Sequence, residues 1–373
     1  MITHKHVSTP AVALVQPVNH LPQPRTLKLA LDVHLAWHVV AVQEDGSSPK
    51  PPQRFKPADF LKWIEQKVVA GHRIISCYEA GPFGYGLHRQ LTALGVTNHV
   101  IRPRNWDDQH TRIKTDRTDA LSMLNALDRF CAGNHKALAL VHVPTEQQER
   151  SRTQTRLRQS LVRDLKMIAG RGRGTALQYG LSLKGDWYGR RNWPKHQSIL
   201  PGWFIALIEP LRQSALFLHD QIQPLTDAIE AASPCARPKG MGGLTEQLLS
   251  REALDWHRFK NRRQVSSYLG LCPSENSSGQ RQHLGGVTKC GNPRLRWALC
   301  ELAWRLVKFQ PDYRLCRKWR PRILDPLTPG GRRKQMIVAL ARGFGVDWWR
   351  IRTGQTTPEK LGLIMTDEPS TQD

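Results

Sequence analysis

The sequence predicts an α/β fold, a mixed sheet covered by helices, followed by an α-helical part. Three patterns carry that expectation. Short apolar runs rich in β-branched residues recur between Leu27 and Pro103, helical periodicities separate and follow them, and beyond residue 145 apolar residues recur at steps of three and four. The first two dozen residues, rich in Pro, His and Val without periodicity, read as a flexible extension. LKLALDV alternates and then turns wholly apolar, as a buried strand does, and AWHVVAVQ follows a short turn as its hairpin partner. PADFLKWIEQKVVAG reads as a helix, RIISCYEA as a strand, GYGLHRQLTALG as a helix closed by Gly95, and VTNHVIRP as a further strand. RIKTDRTDALSMLNALDRF, residues 112–130, is the next helix.

Past this domain, Leu157, Leu161, Leu165 and Ile168 fall at helical spacing in an Arg-rich background. Leu211, Ala215, Leu218, Ile222, Leu225 and Ile229 then alternate steps of four and three, a heptad seam. An antiparallel hairpin within the chain and a dimerising coiled coil both satisfy that pattern. The intervening linker carries Trp187, Tyr188, Trp193 and several arginines, a composition suited to clamping single-stranded nucleic acid. From residue 235 a turn with Lys239, Gly240, Gly242 and Gly243 leads into an apolar helix, a layout that offers backbone N–H groups to a phosphate. A polar loop with Ser277, Ser278 and Gly279 follows, then Arg281 and Lys289. Asn292 and Pro293 next form the N-cap and first position of a helix bearing Arg294 and Arg296. The expected divisions are an extension at 1–25, the α/β domain at 26–145, a helical linker region at 146–234, a C-terminal domain at 235–350 and a tail at 351–373.

Charge narrows the partners. Across 373 residues, 55 Lys and Arg against 31 Asp and Glu give a formal net charge of +24. An excess of that size favours a polyanion, and forked guanidinium groups suit phosphate oxygens. No apolar run approaches the roughly 20 residues a bilayer span needs, and the N-terminus lacks a signal-peptide pattern. Seven scattered cysteines without a CxxC pair, and histidines without an HExxH motif, argue for a reducing cytoplasmic setting and against zinc. A bound metal would be held by oxygen.

The acids are the more specific signal. Asp32 ends the first strand and Glu79 ends RIISCYEA, each at a C-terminal strand edge where open α/β sheets gather their sites. Asp116 and Asp119 share one face of the following helix, Asp116 standing one turn before Ala120 and two before Leu124. Four acids at one edge repel unless cations intervene, and paired Mg2+ ions about 4 Å apart are the usual answer in phosphoryl transfer. Alternatively, Asp116 is an N-cap and Asp119 simply favours the positive end of the helix dipole. Ser277-Ser278-Gly279 likewise reads either as a turn or as a hydroxyl nucleophile ringed by Arg281, Lys289, Arg294 and Arg296.

The landmarks ALDVH, CYEAGPFGYGLHRQL, IKTDRTDA, KGMGGLT, YLGLCPSENSSG and TKCGNPRLRWAL, in that order and spacing, make the chain resemble the IS110 and IS1111 insertion-sequence transposases from about Leu27 to Trp349. The resemblance implies an RNase H-like (RuvC-like) N-terminal domain whose DEDD site, here Asp32, Glu79, Asp116 and Asp119, binds Mg2+. It also implies a coiled-coil link and a mostly helical C-terminal transposase domain whose serine, matching Ser278 before Ser277, forms a phosphoserine link to DNA. The partners it implies are double-stranded DNA at element ends and target, a structured guide RNA from the element, and further copies in a homodimer or homotetramer at the bacterial nucleoid. Glu79 is followed by Ala-Gly-Pro, which points to the IS1111 side, and the linker at 170–200 does not align. A metal-dependent junction resolvase or nuclease using only the acids and water is the alternative.

Overall fold

A computed structural model describes residues 24–104, 106, 115–233, 236–275 and 284–366. The chain forms two compact units, Met1–Val143 and Pro144–Asp373.

In the N-terminal unit β1 (Thr26–Val33), β2 (His38–Glu44) and β3 (Lys50–Phe55) form an antiparallel meander. Helix α1 (Pro57–Val69), β4 (Arg73–Glu79), α2 (Gly86–Ala93), β5 (Thr97–Ile101) and α3 (Asp116–Cys131) follow. The sheet order is β3-β2-β1-β4-β5, with β4 parallel to both β1 and β5, so the expected mixed sheet is present. β3 was not legible in the sequence. KPPQRF holds two prolines, which cannot donate to a ladder, and they sit where the pairing register with β2 slips on an edge strand.

Strand alternation assigns the faces. Leu27, Leu29 and Leu31 of β1 pack with Phe60 and Ile64 of α1 and Leu91 of α2. Ala30 of β1 and Ile75 and Cys77 of β4 lie instead under Ala120, Leu124 and Leu127 of α3. Lys28, in phase with Ala30, pairs with Asp128 of α3. The same phase puts Asp32 and Glu79 on the α3 side of the sheet.

The C-terminal unit begins with α4 (Glu146–Gln178), α5 (Trp193–Gln197) and α6 (Gly202–Ala231). α7 (Gly243–Ala253), α8 (Arg262–Leu269), the short β6 (Pro273–Glu275) and β7 (Leu284–Val287), α9 (Pro293–Phe309), α10 (Arg314–Leu324) and α11 (Gly330–Arg352) complete it. α4 and α6 run antiparallel. Arg158 near the start of α4 donates to Thr226 Oγ1 at 2.7 Å near the end of α6, while Tyr179, capping α4, meets Trp203 at the start of α6 with ring centroids 5.0 Å apart. On α6 the heptad positions Ile208, Ala215, Ile222 and Ile229 are buried, so the seam folds against its own chain.

The expected helical spacing of Leu157, Leu161, Leu165 and Ile168 holds on α4, where the fully buried positions are Thr155, Ala169, Gly172 and Ala176. Leu165 and Ile168 pack partly buried against the Ala169 and Ala176 core, while Leu157 is 50% exposed. The expected linker does not start at 170, because α4 continues to Gln178. Small residues line this helix because the Trp187 indole lies against it: a Cβ on Gly172 would stand 2.9 Å from Trp187 Cε2 and nearer still to Cζ2, and the indole N–H donates to the Ala169 carbonyl at 3.1 Å. Trp187, Tyr188 and Trp193 are 0%, 5% and 6% exposed. They form a small core of their own and are not available to stack on nucleic acid. No helix among the described residues is long and apolar enough to cross a membrane.

Candidate active site

Thr115, not Asp116, caps α3. Its extended backbone (φ −137°, ψ 151°) lets Thr115 Oγ1 accept the Thr118 N–H at 3.2 Å, while Thr118 Oγ1 accepts the Thr115 N–H at 3.1 Å. That reciprocal box satisfies the helix start and corrects the N-cap reading of Asp116. Asp116 is thereby the first helical residue, with its carboxylate free to meet the end of β1. There His34 Nε2 lies 3.3 Å from Asp32 Oδ2 and 3.5 Å from Asp116 Oδ2, and one ligand atom from each of Asp32, His34 and Asp116 falls within 4.8 Å of the others.

Glu79 and Asp119 stand outside that trio. Glu79 ends β4, beside the end of parallel β1, but its Oε1 accepts the Trp106 indole N–H at 2.5 Å and the Arg104 backbone N–H at 3.3 Å. The Arg104 guanidinium lies 4.4 Å from the Trp106 ring centroid, which braces that indole. Asp119, one turn into α3, acts on Asp32 through its charge.

In the C-terminal unit Asn292 caps α9 as its sequence indicates, its Oδ1 accepting the Arg294 and Leu295 N–H groups at 3.0 and 3.3 Å. The turn before it docks on the end of α8: the Asn292 N–H donates to the Tyr268 carbonyl at 2.7 Å, and a Cβ on Gly291 would stand 2.5 Å from Gly270 N and 2.6 Å from Ser267 O. Lys289 takes φ +57°, and its carbonyl accepts from the Arg296 guanidinium at 3.0 Å. Arg294 leans toward Glu252 at 4.0 Å. Lys239 is exposed, with its backbone N–H bonded to the Ile364 carbonyl at 2.8 Å. Ser277, Ser278 and Arg281 lie outside the described residues.

Residues 236–316 match the family model described as Transposase IS116/IS110/IS902 family. The putative transposase y4rJ of Sinorhizobium fredii is 32% identical over 307 residues, covering 73% of this chain and 75% of that protein. The chain belongs to the IS110/IS1111 family of insertion-sequence transposases. The putative transposase y4qE of the same organism is 31% identical over 290 residues, 74% of this chain and 70% of its own. The transposase for insertion sequence element IS1111A of Coxiella burnetii is 25% identical over 270 residues, 69% of this chain and 71% of that protein. The protein is therefore a DNA transposase, and that activity requires it to bind DNA.

Two features of this transposase are not apparent from its sequence. His34 stands two residues after Asp32, so both side chains leave the strand end on one side; the signal was the histidine of ALDVH. Glu252 is wholly buried and accepts the Arg156 guanidinium through both oxygens at 2.8 Å, while Asn292 Nδ2 donates to it at 2.8 Å. It ties the cap of α9 to α4, and nothing in its local sequence marks it.

Charge at the acidic edge is out of balance. Burial pushes the Asp32 carboxyl above its ordinary value; His34 pulls it down, and the charges of Asp116 and Asp119 raise it further. The side chains of Asp32, His34 and Asp116 are 28%, 38% and 42% exposed, so water has access to complete a coordination shell. Two carboxylates and an imidazole in this spacing fit a divalent cation. The imidazole departs from the all-oxygen set expected, and it widens the choice from Mg2+ toward Mn2+.

Proposed function

We propose that this transposase cuts and exchanges DNA strands through two centres, an acidic metal site in the N-terminal unit and a serine in the C-terminal one, directed by a structured RNA of its element. The observation that carries the reading is the meeting of Asp32 and Asp116 with His34, from a strand end and a separately capped helix. Asp32 and Asp116 would hold Mg2+, with Glu79 and Asp119 completing the set. When bound, the metal supplies charge neutralisation at the scissile phosphate. His34 Nε2 stands between the Asp32 and Asp116 carboxylates and, as a neutral imidazole, would offer the third ligand. Trp106 and the Arg104 N–H keep the Glu79 carboxylate fixed in direction.

The serine step rests on the match of YLGLCPSENSSG to the family's motif. Ser278 Oγ attacks the phosphodiester, a phosphorus–Oγ bond forms, and the bond to one DNA oxygen breaks, releasing a strand hydroxyl that carries the proton. The ester conserves the energy needed to rejoin a different strand. Lys289, Arg294 and Arg296 supply positive charge on the neighbouring turn. Pairing as a dimer or tetramer is supported by the Leu157, Leu161 and Leu165 stripe of α4, which the α4–α6 hairpin leaves partly uncovered.

The test is a denaturing-gel trap with protein, its co-expressed RNA, Mg2+ and end-labelled element-junction DNA. A labelled adduct that disappears in Ser278→Ala and needs intact Asp116 is expected. Metal-dependent cleavage with no adduct would instead assign the chemistry to the acids and water, as in a resolvase.

A further inference from the structure

Arg314 to Lys334, spanning α10 and the first turn of α11, carries a run of cations against a single acid, Asp325. Three of the arginines hold the fold. Arg314 Nε donates to Asp347 Oδ2 at 3.0 Å, Arg320 to the Val307 carbonyl at 3.0 Å, and Arg333 to the Asp325 and Pro326 carbonyls at 2.8 and 2.9 Å. Arg317, Lys318, Arg322, Arg332 and Lys334 have no ion-pair partner among the described residues, and all five are exposed. Asp325 does not neutralise them, since its carboxylate is taken up by the Leu327 N–H at 2.9 Å and the Thr328 hydroxyl at 3.3 Å.

Two of these cations, Arg322 and Arg332, line a cleft of about 580 Å3, whose walls also include Trp319, Thr328 and Gln335. The volume lies within the roughly 300–1,000 Å3 that small-ligand sites span. One wall is a partly buried indole, with the Lys318 ammonium 4.9 Å from its centroid. The rim is guanidinium. α11 begins at Gly330 after Pro329 at the N-cap, which makes no side-chain cap to its first-turn N–H groups. An aromatic wall beside two fork donors suits a planar base and its phosphate together, whereas a carboxylate peptide would use the rim and leave the indole idle.

We propose that this cleft takes one unpaired nucleotide of a DNA strand, the base against Trp319 and the phosphate between Arg322 and Arg332. DNA is the choice because the chain is a DNA transposase, and strand exchange exposes unpaired nucleotides. The cleft shares no residue with the acidic edge or the serine loop, and its binding role depends on neither.

The decisive experiment is photocrosslinking of the full chain to an oligothymidylate of about 15 nucleotides, near the upper site size for one binding fold, carrying a single 5-iododeoxyuridine. Tryptic peptides are then mapped by mass spectrometry. An adduct on the peptide containing Trp319 is expected, retained in Trp319→Phe. Because Trp319 also packs on the core, the affinity test uses Arg322→Gln with Arg332→Gln, both exposed. That double variant should melt as the parent does, bind the oligonucleotide about tenfold more weakly, and show a salt slope lower by about 0.7, the value for one phosphate no longer neutralised. Adducts confined to other peptides, or a parental salt slope in the double variant, would overturn the proposal. Equal Trp319 crosslinking to blunt duplex would remove the requirement for an unpaired base, and stronger crosslinking to oligouridylate would replace DNA by RNA; either result rejects the site as stated.

Discussion

Asp32 and Asp116 repel one another at close quarters, and the clearest consequence is a separation of stability from activity. Thr115 carries the cap of α3, so Asp116→Asn removes only a dipole interaction of about 0.3–1 kcal/mol while relieving repulsion with Asp32. Its melting temperature should stay within a few degrees of the parent or rise, while metal-dependent DNA cleavage falls by about two orders of magnitude; a collapsed melting curve would make the acid structural. Thr115→Ala should show the reverse pattern, costing about 1 kcal/mol of stability through the lost cap. Glu252 behaves differently because it is buried and paired. Burial alone would push its carboxyl up, but hydrogen bonds from Arg156 and Asn292 and the charges of Arg156 and Arg294 outweigh that and hold it below the ordinary glutamate value. A carboxyl depressed on folding stabilises fully above its unfolded value near 4.5, and that stability is lost as pH falls through the lower folded value. Glu252→Gln should therefore cost about 2–3 kcal/mol of stability at pH 7, given that Arg156 is partly exposed, and this reads out as a lower urea midpoint. The gap between variant and parent should narrow below pH 4.5.

At the scale of the element, α4 offers a paired test of why its glycines are there. A Cβ on Gly170 or Gly174 meets nothing within 4 Å, whereas one on Gly172 runs into the Trp187 indole. Gly170→Ala should raise stability by up to about 1 kcal/mol through helix propensity. Gly172→Ala should lower it by about 1–3 kcal/mol, since overpacking outweighs the same propensity gain. Thermal melts of the two variants beside the parent read the difference directly, and similar shifts in both would mean that the indole can move aside. The seam of α6 was legible because heptad spacing is a property of one helix. Its partner surface on α4 was not, because the residues that matter there are small, and a small residue signals nothing until the bulky side chain it accommodates is known.

For the molecule as a whole the governing quantity is the net charge of +24. A protein that neutralises six to ten phosphates loses about 10³–10⁵ in DNA affinity between 50 and 200 mM salt, and binding titrations across that range should show such a fall. Replacing one exposed phosphate-contacting lysine should reduce the slope by about one and leave sequence preference unchanged. A slope near zero would mean that the excess charge serves something other than DNA.

The sequence by itself determined the strands and helices of the first unit other than β3, the α6 seam, the cap of α9 and the family, because each is written in local periodicity, turn chemistry or a contiguous motif. It also placed Asp32 and Glu79 at the C-terminal ends of their strands, and the sheet then made those strands parallel neighbours. Only the tertiary structure decided that His34 joins Asp32 and Asp116, that Trp106 engages Glu79, that Thr115 frees Asp116 from capping, and that Trp187 and Trp193 are core. Those outcomes depend on which side chains from distant segments meet. The energy of such a meeting belongs to the pair, and neither residue's local sequence carries it.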